Sequence, residues 1–141
     1  MSQKISISIV VPVFNQELYI GRCLRSLLDQ SIDRENYEII VVNDFSKDNT
    51  IKILSKFKDN IKIINNKKNM GLPYSLNRGI KASQGRFIVR VDSDDYVNRE
   101  FLNFLQTFLL YNPKMDSVCC DYYLVDEKEN VIKTMNSIKD P

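Results

Sequence analysis

Two hydrophobic periods alternate along the chain. Ile5 to Val13 is a β-branched, nearly continuous apolar run ending in "PVFN", where Pro12 and Asn15 stop the ladder, and it predicts a buried strand. From Gln16 to Gln30 the period changes: Leu18, Ile20, Leu24, Leu27 and Leu28 share one helical stripe, with Asn15 placed as N-cap and Glu17 favourable in the first turn. "YEIIVVND" predicts a second strand ending in the polar pair Asn43 and Asp44. "SKDNTIKILSKFK" predicts a helix capped by Ser46 or Asp48, with Ile51, Leu54 and Phe57 inward. "IKIINN" is a third strand. A third helix begins near Pro73 and ends at Gly85, a residue suited to a left-handed cap, and "FIVRVD" is a fourth strand.

Four strands alternating with three helices argue for a parallel sheet with right-handed crossovers, covered on both faces, in the α/β class. Further on, Asn98 can cap a helix whose apolar face holds Phe101, Phe104 or Leu105, Phe108 and Leu109, closed by "NP" at 112 and 113. "DSVCCDYYLVDEKENVIKTM" then predicts a hairpin turning at "DEKEN", and "NSIKDP" has no periodicity.

Composition narrows the partners. A chain of 141 residues is one domain's worth. Its 20 Lys and Arg against 18 Asp and Glu give no strong field calling for nucleic acid or an anionic membrane. The lysines from Lys52 through Lys56, Lys58 and Lys62 to Lys67 and Lys68 lack interleaved aromatics and read as a solvated face, so no nucleic-acid partner is expected. Three cysteines, two of them adjacent (Cys119 and Cys120) in a stretch that reads as strand, make a disulfide framework improbable and fit a reduced, cytoplasmic setting. With no histidine and no CxxC, a zinc site is nearly excluded. No signal-peptide layout opens the chain and no apolar run approaches the ~20 residues of a membrane span. A soluble protein, at most peripheral to the inner face of a membrane, is the expectation.

Chemistry concentrates at the strand ends. "VRVDSDDYV" sets Asp92, Asp94 and Asp95 within four positions directly after an apolar run. In open α/β sheets ligands bind outside the carboxyl ends of the strands, where "PVFNQE", "VVNDFS" and "VRVDSDD" should converge. Asp92 and Asp94, two residues apart, would face one side if strand geometry persists, and such a pair holds a hard divalent ion while leaving positions for phosphate oxygens and water. The alternative is a solvated turn that caps the next helix, a role Asp95 in particular can fill. Convergence of three polar strand ends favours the cation.

These stretches, "SIVVPVFNQELYIGRCLRSLLDQ", "YEIIVVNDFSKDNT", "NMGLPYSLNRGI" and "GRFIVRVDSDD", resemble in order the motifs of the family-2 glycosyltransferases. The resemblance implies the GT-A fold, a Rossmann-like three-layer nucleotide-diphospho-sugar transferase domain with a mostly parallel central sheet. It implies that Pro12, Val13, Phe14, Asn15 and Glu17 border the nucleotide, that Asp44 contacts the base, and that Asn77 stands near the donor. It further implies that Asp92, Ser93 and Asp94 form a DxD motif in which Asp92 and Asp94 hold Mn2+ or Mg2+ on the donor diphosphate.

The implied reaction is metal-assisted transfer of a sugar from a nucleotide-diphosphate sugar, a UDP-sugar by expectation, to a hydroxyl of a glycan or lipid-linked acceptor in cell-surface polysaccharide synthesis. The family usually supplies its general base and much of the acceptor site well beyond the metal motif, and only 47 residues follow Asp94 (141 minus 94), so the domain is expected to be C-terminally truncated and no base is named. Asp121, Asp126, Glu127 and Glu129 read as turn or surface groups. Phe45 stands where a glycine is usual, Asn43 replaces a common acid, and Leu76 replaces a frequent arginine; these departures fall on base selectivity and phosphate contacts.

Two other classes compete. A non-catalytic donor-binding or regulatory module working with another subunit is favoured by the missing base and opposed by the intact acidic pair. A nucleotidyltransferase would be expected to show a Gly-rich phosphate loop near the first strand, where no glycine occurs before Gly21. A response-regulator-like domain also places acids at strand ends but has no need of "NMGLPYSLNRGI". The helix from Asn98 to Tyr111 is expected to leave apolar surface uncovered and to invite a homodimer or partner subunit.

Overall fold

The computed structural model describes residues 5–136. Two compact units divide the chain, one running to Asn103 and one from Phe104. The first is built on four parallel strands, β1 (Ile7–Val13), β2 (Tyr37–Asn43), β3 (Lys62–Asn65) and β4 (Phe87–Arg90), in the order β3-β2-β1-β4. Between them run helices α1 (Ile20–Leu28), α2 (Thr50–Leu54) and α3 (Leu72–Ala82), and α4 (Phe101–Tyr111) follows.

Strand alternation sorts side chains into two layers. Ile7, Ile9, Val11 and Val13 of β1 point with Ile39 and Val41 of β2 into a core that also holds Ile20, Cys23, Leu24 and Leu27 of α1, Leu54 of α2 and Leu102 of α4. Burying each large aliphatic side chain contributes about 1.5–3 kcal/mol, so this face dominates the stability of the sheet. The other face carries Val10 and Val42 against α3, and Gly79 permits that approach: a Cβ there would lie 2.3 Å from Cγ1 of Val10. Helices on both faces of a parallel sheet make the expected three layers.

Pro12 sits inside β1, opposite Val42, rather than ending it. The carbonyl of Val10 accepts the Val91 N–H from the β4 side, so by alternation the ring nitrogen of Pro12 also faces that side. The β1/β4 ladder ends at Val10 and Arg90, and the missing N–H forfeits no bond there.

Other expectations are corrected by local geometry. The first helix begins at Ile20, not Gln16, because Asn15 takes a φ of 52° and residues 16–19 form a turn in which the Tyr19 N–H reaches the Gln16 carbonyl. Asn15 is therefore not its cap, and Leu18, off the stripe, is 79% exposed. The second helix is only five residues long and buries Thr50 and Leu54, which leaves Ile51 outward. The third ends at Ala82 with Ser83 extended, and Gly85 is not a left-handed cap, since Gly71 alone among the described glycines has a positive φ. Glycine is required at 85 for room: a Cβ would lie 2.5 Å from the backbone nitrogen of Ser8 and 2.6 Å from the carbonyl carbon of Ile7.

The second unit holds the rest of α4 and an antiparallel hairpin, β5 (Tyr122–Val125) with β6 (Val131–Met135). Its turn is organised by Asp126, whose Oδ1 accepts the N–H groups of Lys128 and Asn130 at 2.8 and 2.9 Å, which bears out the reading of that carboxylate as a turn residue. Cys119 and Cys120 precede β5 in irregular backbone, not in strand, because the ladder begins only at Tyr122. Along α4 only Leu102 is fully buried, while Phe104, Phe108, Leu110 and Tyr111 are exposed, so the helix does carry the uncovered apolar surface expected of it. No helix among the described residues is long and apolar enough to cross a membrane. Most of "NSIKDP" lies outside the described residues.

Gly85→Ala should destabilise the protein by about 1–3 kcal/mol, because the new methyl group meets backbone that cannot rotate away. Urea unfolding checks this as a lowered midpoint at unchanged slope; an unchanged midpoint would show that the β1 backbone yields.

Candidate functional site

The strand order locates the site before any side chain is considered. From β1 the chain steps outward through β2 to β3, then returns to place β4 on the other side of β1. The crevice at the carboxyl ends of β1 and β4 is the point where the order reverses, the favoured ligand position in open parallel sheets. A cavity of about 300 Å³ opens there. Of the expected residues, Pro12, Val13, Phe14, Asp44, Asp92, Ser93 and Asp94 line it, joined by Gln16, Asn69, Gly71, Leu72, Ser75 and Arg90.

Asp44, just past β2, is buried and fully engaged in holding the cavity's floor. Its Oδ1 accepts the side-chain N–H of Asn66 at 2.6 Å and the Met70 N–H at 2.8 Å, and its Oδ2 accepts the Gly71 N–H at 2.8 Å. Burial opposes the charge, but the bonds from Asn66, Met70 and Gly71 outweigh it and hold the carboxyl below its ordinary range. Asn66 also donates to Ser75 Oγ at 2.9 Å, so one carboxylate ties the end of β2, the loop after β3 and the first turns of α3.

Asn15 and Glu17 are not among the lining residues; they fasten the loop after β1 to the loop after β2. The Asn15 N–H donates to Ser46 Oγ at 3.0 Å while its side-chain oxygen accepts the Lys47 N–H at 2.8 Å. The Gln16 N–H reaches Thr50 Oγ1, the Glu17 N–H reaches Asp48 Oδ2, and Glu17 Oε2 accepts from both the backbone and the side chain of Asn49. Between the fastened loops Phe14 keeps 43% of its surface open. Phe45 is held at a φ of 67°, in the region that favours glycine, with the Lys47 ammonium 3.4 Å from its ring centre. Asn43 links Asn65 to the Ser46 N–H and so serves the same framework.

The acidic segment after β4 is anchored by polar side chains of α1 and of Gln30 just past its end. The Arg22 guanidinium donates to the Asp94 carbonyl at 3.2 Å and stacks on Tyr96, with its centre 4.4 Å from that ring. The Cys23 thiol donates to the Asp92 carbonyl at 3.6 Å. Burial, reinforced by Asp95 and Asp94, pushes that thiol up to about 12, so it remains protonated and a donor at neutral pH. Ser26 accepts the Val97 N–H, while the buried Gln30 donates to the Asn98 carbonyl and accepts the Leu102 N–H. Partial desolvation and then the neighbouring Asp94 and Asp92 raise the Asp95 carboxyl above its ordinary range, a sign of concentrated negative potential. Arg90 answers that potential with two prongs on Asp92, Nε to Oδ1 at 2.7 Å and Nη2 to Oδ2 at 2.8 Å.

Asn77 is exposed and is not among the lining residues. Gly71, Leu72 and Ser75 lie on the turn of α3 facing the cavity, and a position two residues past Ser75 points roughly 200° round the helix. No group of three or more His, Cys, Asp or Glu gathers into a metal cage among the described residues. The cavity wall instead offers the two carboxylates of Asp92 and Asp94, hard oxygen donors that suit a divalent cation completing its shell with phosphate oxygens and water. Sequence reasoning missed Gln16, Asn69, Gly71, Leu72, Ser75 and Arg90. The Gly71–Leu72–Pro73 helix start was the available signal for three of them.

Comparison with known proteins decides what this cavity belongs to. The family model "Glycosyl transferase family 2" matches residues 8–139. The chain belongs to glycosyl transferase family 2. It is 44% identical over 100 residues to the poly(ribitol-phosphate) beta-glucosyltransferase of Bacillus spizizenii, covering 68% of this chain and 16% of that enzyme. It is 37% identical over 105 residues to the poly(ribitol-phosphate) beta-N-acetylglucosaminyltransferase TarS of Staphylococcus aureus, covering 72% of this chain and 18% of TarS. The crystal structure of TarS 1–349 in complex with UDP-GlcNAc superposes with a TM-score of 0.72 at 34% identity, over 76% of this chain and 32% of that one. The mannosyltransferase PcManGT of Pyrobaculum calidifontis, in complex with GDP-Man and Mn2+, shares the fold at a TM-score of 0.70 and 20% identity. This family-2 chain thus has the GT-A fold and spans a minor part of the length of these relatives; the nucleotidyltransferase and response-regulator alternatives fall away.

Asp44→Asn places an amide where a carboxylate oxygen meets a backbone N–H, and should destabilise the protein by about 1–3 kcal/mol at neutral pH. Because the folded carboxyl lies below its unfolded value, the wild-type advantage is complete above about pH 4 and is lost as pH falls through the folded value. Denaturant titrations across that range should show the two proteins converging in acid; a constant gap would refute the assignment. Thiol titration of the native chain should find Cys119 and Cys120 reactive and Cys23 silent until unfolding.

Proposed function

We propose that this chain forms the donor-binding part of a glycosyltransferase that takes a sugar from a UDP-sugar and delivers it to a hydroxyl of a cell-surface polymer or lipid-linked glycan. The observation that carries the reading is the single cavity at the sheet's reversal point in which Phe14, Asp44 and the Asp92–Asp94 segment meet. The relatives support the substrate class: TarS is described in complex with UDP and with UDP-GlcNAc, and it and the Bacillus enzyme are named for transfer to poly(ribitol-phosphate).

Each end of the cavity suits one part of such a donor. The half-open ring of Phe14 gives a planar base an apolar surface to cover. Asp44, held by Asn66, Met70, Gly71 and Ser75, gives the same end of the cavity a fixed negative charge toward which the N–H of a uracil-type base can turn. The fastened loops hold these groups before the donor arrives, which lowers the ordering cost of binding. Asp92 and Asp94 would hold Mn2+ or Mg2+, which when bound stabilises the charge that grows on a departing diphosphate. Arg22 and Cys23 hold that segment at the backbone carbonyls of Asp94 and Asp92, and these two bonds fix its path without using its carboxylates. Asp44 is committed to the loops and Asp92 and Asp94 to the diphosphate, so deprotonation of the acceptor is assigned to none of them.

Calorimetric titration of UDP, with GDP and dTDP as comparators, tests the reading on this chain and on Asp94→Ala. The expected result is preference for UDP, with Mn2+ tightening binding by about tenfold or more, equivalent to about 1.4 kcal/mol, and that gain lost in the mutant. A folded chain that binds none of the three diphosphates would overturn it.

A further inference from the structure

Arg90, the last residue of β4, lines the cavity as the one Lys or Arg among its lining residues, against the three carboxylates of Asp44, Asp92 and Asp94. A nucleoside diphosphate entering that wall brings more negative charge to three acids. Arg90 and Asp92 lie two residues apart at the end of a strand, on one side of it, and the guanidinium takes both oxygens of Asp92 in a fork. Both side chains remain nearly half open, at 47% and 41%.

An ion pair this exposed adds little to folding stability. Nor does it fix the strand, which the Val10–Arg90 pairing already holds, or the path of the acidic segment, which α1 holds through backbone carbonyls. What the fork does change is the availability of Asp92. A divalent cation that uses this carboxylate must displace a guanidinium bonded to both of its oxygens.

Resting on the donor-site reading above, we propose that Arg90 is a built-in counter-cation that competes with the divalent ion for Asp92: it neutralises Asp92 when no metal is bound and yields it when metal arrives. The consequence is a site that accepts a diphosphate without metal more readily than its acidic wall alone would allow, and that gains less from metal than it otherwise would.

The test is the factor by which Mn2+ tightens UDP binding, measured by calorimetry in chelator and in saturating Mn2+ for wild type, Arg90→Gln and Arg90→Lys. Paramagnetic resonance of free Mn2+ gives the reciprocal measurement, since coupling between two ligands is the same read from either side. In Arg90→Gln, UDP binding without metal should weaken and Mn2+ binding should tighten more on the UDP-loaded chain than on the free chain, so that the coupling factor grows by about fivefold or more. Arg90→Lys, which keeps the charge and loses the fork, should fall between the two. Thermal unfolding of all three should nearly coincide.

A coupling factor in Arg90→Gln equal to or smaller than that of wild type overturns the proposal, as does Arg90→Lys behaving like Arg90→Gln. UDP binding that is sound in wild type and unaltered in Arg90→Gln removes the role of Arg90 and leaves the donor site standing. Absence of UDP binding in every condition removes both.

Discussion

The cavity depends on one buried carboxylate. Asp44 receives hydrogen bonds from Asn66, Met70 and Gly71, and through them the end of β2, the loop after β3 and the start of α3 become one piece. A neutral side chain there would leave backbone N–H groups unpaired in a dry environment, and a charged one without these donors would not tolerate burial. The two requirements cancel only in this arrangement, and Gly71, with its positive φ, is the residue that lets the chain turn its N–H toward Asp44. The wall formed by Asn69, Gly71, Leu72 and Ser75 follows from that turn.

Sheet topology supplies the opening and loop chemistry supplies its shape. The reversal between β1 and β4 leaves room beyond the last paired residues, Val10 and Arg90. Pro12, without an N–H on the β4 side, keeps the ladder from extending into that room. The loops after β1 and β2 are then joined by side chain to backbone bonds from Asn15, Glu17, Ser46, Asp48 and Thr50, and none of these residues lines the cavity. Their polarity serves the framework, which is why Asn15 and Phe45 can be held in backbone conformations that isolated residues of their type disfavour.

The fold was largely legible because strands buried on both faces are continuous β-branched runs, and "ISIVVPV" and "YEIIVV" have few other readings. The convergence of three polar strand ends was legible for the same reason, since topology determines where strand ends go. What escaped was set by geometry at the scale of one residue. A positive φ at Asn15 moved the start of α1 by four positions, and the rotation of α3 turned Asn77 away from the cavity while bringing Ser75 in. Gly85 looked like a helix cap because glycine is common there; it is needed for room against the backbone of β1, a contact remote in sequence. Arg90 was hidden inside an apolar strand pattern, where a single charged residue carries no periodic signal.

The first helix shows how one short sequence serves both packing and site. Ile20, Leu24 and Leu27 point into the core, while Cys23 at the core's edge, Ser26 and, two residues past the helix end, Gln30 bond the chain after β4 at the Asp92 carbonyl, the Val97 N–H, the Asn98 carbonyl and the Leu102 N–H. These three side chains are neutral, and these bonds go to backbone. Had the segment been anchored through ion pairs on its carboxylates, the anchor and the ligand would compete for the same atoms, and every binding event would loosen the loop. Anchoring through the backbone separates the two tasks: the segment keeps its path whatever its carboxylates hold, and the repulsion among Asp92, Asp94 and Asp95 is carried by a scaffold that does not need them neutralised in order to stay folded.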